Sequence, residues 1–229
     1  MGRLGLRPCP LIFSTDMIRD IHTHHLPVHP DEAIISYYCS SHSLTDMNRA
    51  VHLSAGIHPW FLTEEDITLQ LAWLDTLLED KRLLAIGEAG LDKCCHTPFA
   101  LQQKAFEAQI ICSEHRDLPM ILHIVRAYQE LIAYRKSLHA RQPWIIHGFR
   151  GKKEVTRTLL DQGFYLSFGQ KFQPETLRYV PEDRLLLETD ESLLPIREIY
   201  QEAASTRETT VEQLEKAVSS TINKLFFSR

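Results

Sequence analysis

Asp20-Ile21-His22-Thr23-His24-His25-Leu26 is the stretch from which the rest of this chain can be read. It comes after Met17-Ile18-Arg19, a short run of strand character. Successive side chains of a strand alternate faces, so Asp20, His22 and His24 are expected on one side. Two imidazoles on one face at the end of a strand can close on a single cation. A His-x-His pair alone is weak evidence, because a histidine that bonds a nearby carbonyl is commoner. Ligand-type residues at later strand ends strengthen it.

Ala33-Ile34-Ile35-Ser36-Tyr37-Tyr38-Cys39 is β-branched and aromatic and reads as a second strand. His52 to Ile57 reads as a third, stopping at His58-Pro59. Thr63 is positioned to cap a helix with Glu64, Glu65 and Asp66 in its first turn, where acidic side chains suit the positive end of the dipole. Ile67, Leu71, Leu74 and Leu78 give that helix an apolar stripe. Leu83 to Gly87 is a fourth strand that runs into Glu88-Ala89-Gly90-Leu91-Asp92, and Thr97-Pro98 opens a helix to His115 with Pro at the first helical position. Met120–His123, Trp144–His147, Phe164–Phe168 and Arg184–Glu188 complete the strands. Helices are expected over Tyr128–Leu138 and over Lys153–Gln162, the latter ended by Gly163. A last helix starts at Thr210, where Gln213 three residues on makes a capping box, and it buries Leu214, Val218, Ile222 and Leu225.

Eight strands, mostly alternating with helices and nearly continuous in apolar residues, imply a parallel sheet covered on both faces. Eight such strands close into a (β/α)8 TIM-type barrel, and 229 residues suit one barrel, which typically runs to about 250. The first crossovers are too short for full helices, so the early helices are expected to be shortened. No linker, repeat or composition shift divides the sequence. Residues 17–229 therefore read as a single α/β domain, preceded by a disordered extension over 1–16.

A net charge of −5 argues against a surface built for non-specific duplex binding, though a local basic patch remains open. Five cysteines, odd in number and without a CxxC pair, read as reduced thiols of a cytoplasmic protein. No apolar run reaches membrane-spanning length, so no membrane partner is expected, and no obligate protein partner is evident. Gly-x-Ser-x-Gly, HExxH and Walker-type phosphate loops are all absent from the sequence.

The polar residues gather at one end of the strands. His22 and His24 follow strand one, His58 strand three and Glu88 strand four, while His123, His147 and Asp190 follow strands five, six and eight. In a barrel these ends converge on the face that carries the chemistry. Four histidines with a Glu and an Asp can hold two divalent cations bridged by one carboxylate. Such a pair lowers the pKa of a shared water and clamps the charge of a displacement at phosphorus. Imidazole and carboxylate without thiolate suit Zn, Mn, Fe or Ni and tolerate Mg.

The ordered set Asp20-Ile-His-Thr-His, Gly56-Ile-His-Pro, Ile86-Gly-Glu-Ala-Gly-Leu-Asp92, Leu122-His, His147-Gly-Phe-Arg-Gly151, Ser167-Phe-Gly169 and Leu187-Glu-Thr-Asp190 resembles the TatD family of metal-dependent hydrolases, barrels similar to the amidohydrolases. The resemblance covers nearly the whole chain from Met17 and implies deoxyribonuclease activity, chiefly exonucleolytic. It implies one metal held by His22, His24, Glu88 and Asp190, and a second held by Glu88, His123 and His147, with Glu88 bridging. Asp190 would accept the proton of the attacking water, and His58 would lie by the site and touch the scissile phosphate. Three departures fall on substrate contacts and spare the ligands: two residues separate His123 from Arg126, Arg150 replaces a serine, and Glu191-Ser192 replaces a small residue and a proline.

Arg150, Lys152 and Lys153 after strand six, with Lys93, Arg126 and Lys171, are expected to form a positive rim that contacts phosphates. Among the aromatic residues Trp60, Phe61, Phe149 and Phe172, Phe149 is the preferred base-stacking surface. The expected activity is a two-metal phosphodiesterase, with Mg, Mn or Zn, that trims DNA ends as a 3'-5' exonuclease. Its catalytic residues would be Asp190, Glu88 and His58, and its substrate contacts Arg126, Phe149, Arg150 and Lys152. An amidase or ester deacylase on the same ligands is the alternative, and a barrel scaffold without turnover the third reading.

Overall fold

A computed structural model describes residues 19–39 and 44–228. The expected extension over residues 1–16 and the run Met17-Ile18 lie outside the described residues. Eight strands, β1 (Asp20–Thr23), β2 (Ala33–Tyr38), β3 (His52–Gly56), β4 (Leu83–Asp92), β5 (Met120–Val125), β6 (Trp144–Ile146), β7 (Tyr165–Phe168) and β8 (Leu185–Leu187), pair in parallel in chain order. Around them lie α1 (Leu44–Arg49), α2 (Ile67–Leu77), α3 (Phe99–Arg116), α4 (Tyr128–Ser137), α5 (Lys153–Asp161), α6 (Pro174–Tyr179), α7 (Ile196–Thr206) and α8 (Val211–Phe226). The fold is the (β/α)8 barrel expected from the strand count. Among the described residues no helix is long and apolar enough to cross a membrane.

Among the described residues the barrel closes through one bridge. Asp190 pairs with Thr23; its N–H donates to the His22 carbonyl at 2.9 Å, and its own carbonyl accepts from the His24 N–H at 3.1 Å. The early crossovers are short, as expected: a 3-10 turn at Pro30–Glu32 joins β1 to β2, and the six-residue α1 lies between β2 and β3. The capping box of Thr210 and Gln213 opens α8, which buries Leu214, Val218, Ile222 and Leu225.

Several boundaries differ from the sequence reading. β4 continues through Asp92, and all ten of its residues are buried. β5 likewise runs two residues past His123. α2 begins at Ile67, because Asp66 turns its carboxylate back to the Thr63 N–H at 2.9 Å, so Thr63 precedes the helix by a full turn. Pro98 is the residue before α3 rather than its first helical position. α7, whose apolar face buries Ile199, Tyr200, Ala203 and Ala204, was not anticipated.

Two irregularities aim the polar residues. β1 carries one extra residue relative to β2 between Asp20 and Thr23, and β4 one extra relative to β5 between Ile86 and Ala89. A bulge in a ladder re-aims the side chains next to it, and Glu88 lies within the second one. The strict alternation expected for Asp20, His22 and His24 is broken by the first. Glycine permits the close packing here: a Cβ at Gly90 would lie 1.9 Å from the His123 carbonyl oxygen. Gly90 pairs with His123 across β4 and β5, so this close approach sets the distance between His123 and Glu88. Gly90→Ala is expected to destabilise the protein by about 1–3 kcal/mol or more by overpacking. Gly169→Ala, whose added methyl would meet nothing nearer than 3.7 Å, should stay within about 0.5 kcal/mol of wild type in the same thermal unfolding experiment.

Candidate metal centre at the barrel mouth

Glu88 stands at the middle of the mouth, and five imidazoles surround it. Its Oε1 lies 2.8 Å from His147 Nε2, 2.9 Å from His58 Nε2 and 2.9 Å from His123 Nδ1. Its Oε2 lies 3.2 Å from His24 Nε2 and 3.4 Å from His22 Nε2. Asp190 Oδ1 is 3.6 Å from each of those last two nitrogens. One carboxylate thus faces two sets of ligand-type nitrogens, one set per oxygen.

Three of the five rings are held from behind. His58 precedes a 3-10 turn over Pro59–Phe61, and its Nδ1 accepts the Trp60 N–H at 3.1 Å, so the proton of the neutral ring sits on Nε2. His147 turns Nδ1 to Glu188 Oε1 at 3.4 Å, and that oxygen also accepts the Gly148 N–H at 2.5 Å. His123 turns Nε2 to Asp92 Oδ2 at 3.2 Å. Asp190 adopts a left-handed φ of 57°, a conformation Asp tolerates, and its backbone contacts to His22 and His24 hold it there. Asp20, directly before the histidines, accepts from Thr189 Oγ1 at 2.6 Å and from the Thr189 and His22 N–H groups.

Charge follows from this crowding. Against its own burial, His147, His123 and His22 hold the Glu88 carboxyl well below the usual carboxylate range. Burial and neighbouring His147 oppose a proton on His22, yet Asp190 and Glu88 raise its imidazole to about 9. His147 is likewise raised well above its ordinary value by Glu88 and Glu188, against burial. Burial also opposes ionisation of Asp190, but His22 and His147 bring its carboxyl down to about 2. His58 goes the other way, its imidazole lowered by burial despite the contact with Glu88. Protons and a cation compete for the same nitrogens, so a site that draws protons this strongly suits a metal ion.

The donor set fits divalent metal. Both ring nitrogens of His22 are buried and make no hydrogen bond among the described residues. A buried polar atom left so is costly, and a cation at Nε2 would satisfy one of the two. His22, Glu88 and His147 form one group with ligand atoms close enough for a single ion; His22, His24 and Asp190 form another, and His58, Glu88 and His123 a third. All six residues expected as ligands, with His58, are brought together here.

A cleft of about 660 Å³ opens over these groups, walled by Tyr38, Trp60, Phe61, Arg126, Tyr128 and Arg150. It adjoins a second hollow of about 520 Å³, to which Arg150, Gln170 and Lys171 contribute. Of the expected basic rim, Arg126 and Arg150 reach the cleft and Lys171 the hollow. Lys93 is paired with Glu130 at 2.5 Å, and Lys153 lies over the Tyr179 ring at 4.9 Å. Lys152 precedes α5, exposed and outside the cleft lining.

Phe149 does not offer a stacking face. It is 1% exposed, packed edge-on to Phe168 and against Tyr128, with Gly151 closing over its ring. Phe172 also packs against the core. The open aromatic surface is Trp60, 52% exposed, and Phe61, 43% exposed, the latter stacked on Tyr38 at 4.7 Å. Asp92 and Glu188 were missed as outer partners of His123 and His147. Each lies inside one of the ordered motifs, but only the folded chain brings it behind its histidine. Phe149→Ala is expected to cost about 3–5 kcal/mol in denaturant unfolding, as for a buried aromatic ring.

A sequence model of the TatD-related DNases matches residues 39–227. The metal-dependent hydrolase YabD of Bacillus subtilis is 30% identical to this chain over 201 residues, covering 77% of each. The 3'-5' ssDNA/RNA exonuclease TatD of Edwardsiella piscicida is 31% identical over 186 residues, covering 72% of this chain and 71% of its own. Among solved structures, the TatD homologue YjjV of Escherichia coli superposes with a TM-score of 0.78 over 94% of this chain and 100% of its own, at 21% identity. That last likeness establishes the shared barrel.

Proposed function

The chain belongs to the TatD-related DNase family of metal-dependent hydrolases, and from that premise we propose that it trims single-stranded nucleic acid, DNA foremost, by 3'-5' exonucleolytic hydrolysis of phosphodiester bonds. The observation that carries this reading is the division of five imidazoles between the two oxygens of Glu88 beneath a cleft bearing Arg126 and Arg150. The exonuclease named TatD among its relatives supports the substrate.

In this reading His22, His24, Glu88 and Asp190 would hold one divalent ion, and Glu88, His123 and His147 a second, with Mg, Mn or Zn as candidates. Divalent ions bound there would supply an acidified water at neutral pH and stabilisation of charge on the phosphoryl oxygens. Asp190, partly exposed and kept ionised, takes the proton of the attacking water. His58, its charged form disfavoured by burial, holds its Nε2 proton toward Glu88 Oε1 and would offer it to a phosphate oxygen once that carboxylate is taken up by metal. Arg126 and Arg150 pair with phosphates by charge-assisted hydrogen bonds, and Lys152 adds charge farther out. Trp60 and Phe61 take over the base-stacking role expected of Phe149. Cys39, Cys94, Cys95 and Cys112 are free thiols, which supports the cytoplasmic setting.

The test is hydrolysis of end-labelled single-stranded DNA with Mg²⁺, Mn²⁺ or EDTA, alongside Asp190→Asn. A metal-dependent ladder that vanishes in EDTA and in the variant is expected. No cleavage with any ion, by protein that retains bound metal, would remove the nuclease reading. Arg150→Ala should keep its metal content while the slope of log affinity against log salt shrinks by about 0.7, the value for one phosphate contact on a single strand.

A further inference from the structure

Asp92 ends β4, its side chain 4% exposed. Its backbone is clamped from α3: the Asp92 N–H donates to Gln102 Oε1 at 2.7 Å, and Gln102 Nε2 donates to the Asp92 carbonyl at 2.9 Å. The carboxylate meets donors on every side. Oδ1 accepts the Cys94 N–H at 2.7 Å, and Oδ2 accepts the Trp60 indole N–H at 2.7 Å. The same Oδ2 lies 3.2 Å from His123 Nε2. An ionised carboxylate has no proton to give, so Nε2 is the donor in that contact. The lone pair of Nδ1 then faces Glu88 Oε1 at 2.9 Å, two acceptors that a cation would reconcile.

We propose that Asp92 is a positioning residue: gripped by the indole N–H of Trp60, it holds the His123 ring with Nε2 protonated, so that Nδ1 is the nitrogen left to bind metal. This rests on the reading of His123 as a ligand. It also gives Trp60 a second task. Trp60, at the cleft wall, is tied to His58 by its backbone N–H and, through its indole N–H and Asp92, to His123. An amide at position 92 cannot satisfy these neighbours, because its NH2 must be turned on at least one of three donors.

The experiment is a Zn²⁺ titration of the metal-free full chain, without nucleic acid, for wild type, Asp92→Asn and Trp60→Phe. Calorimetry reads affinity, and the Trp60 indole ¹H–¹⁵N signal, assigned by its loss in Trp60→Phe, reads the contact. In wild type, Zn²⁺ bound at His123 should shift that signal, because the Asp92 Oδ2 that accepts the indole N–H also faces His123 Nε2. Asp92→Asn, with a melting temperature near wild type, should lose roughly 10–100-fold in affinity for one equivalent of Zn²⁺, as outer-shell partners do, and its indole signal should no longer respond. Trp60→Phe, which keeps a ring and removes the donor, should weaken the same equivalent by a smaller factor. Unchanged affinity in both variants, or a metal-responsive indole in Asp92→Asn, overturns the proposal. Should Asp92→Asn fail to fold, Trp60→Phe at wild-type affinity does so alone. A wild-type chain that takes up only one equivalent sinks the ligand assignment of His123 instead, and that result is independent of whether DNA is cleaved.

Discussion

Burying a carboxylate in the longest strand of a barrel is the constraint to which the rest of this molecule answers. Glu88 is almost inaccessible within β4, where an uncompensated charge costs several kcal/mol. The protein answers with imidazoles from four other strand ends, three on one oxygen and two on the other. The bulge at Ile86–Ala89 and the close packing at Gly90 belong to that arrangement, because they bring β5 and His123 within reach. The imidazoles in turn need their own partners, and Asp92, Glu188 and the Trp60 N–H occupy the far sides of three of them.

Closure of the barrel and the geometry of the site depend on the same residue. Among the described residues one bridge joins β1 to the chain just past β8, and it runs through Asp190, whose carboxylate faces His22 and His24. Asp20 reinforces the joint from the neighbouring position by accepting from Thr189; burial pushes its carboxyl up to about 7 even as those hydrogen bonds pull it down. A chain that failed to join its ends would lose one proposed metal position along with its last strand contact.

The proposed substrate side rests on few charged groups. The chain is acidic as a whole, yet the cleft carries Arg126 and Arg150, and Lys171 lies in the adjoining hollow. Local charge over a low-dielectric mouth outweighs net charge for a ligand that must enter it. Trp60 and Phe61 add apolar faces to the same wall, which suits the proposed substrate, whose sugar-phosphate backbone carries charge and whose bases offer flat faces.

The strand pattern, the count of eight, the shortened early helices and the gathering of His22, His24, His58, Glu88, His123, His147 and Asp190 at strand ends were legible in the amino-acid sequence. They depend on local periodicity and on the rule that parallel strands converge at one barrel face. The roles of Phe149, Asp92 and Glu188 were not. A phenylalanine in a motif loop reads the same whether its ring faces solvent or the core, and only the packing of Phe168, Tyr128 and Gly151 decides. Asp92 and Glu188 act on histidines 31 and 41 residues away, contacts no local pattern encodes. The bulge that holds Glu88 in the mouth belongs to this second class, since register is a property of paired strands and not of either one alone.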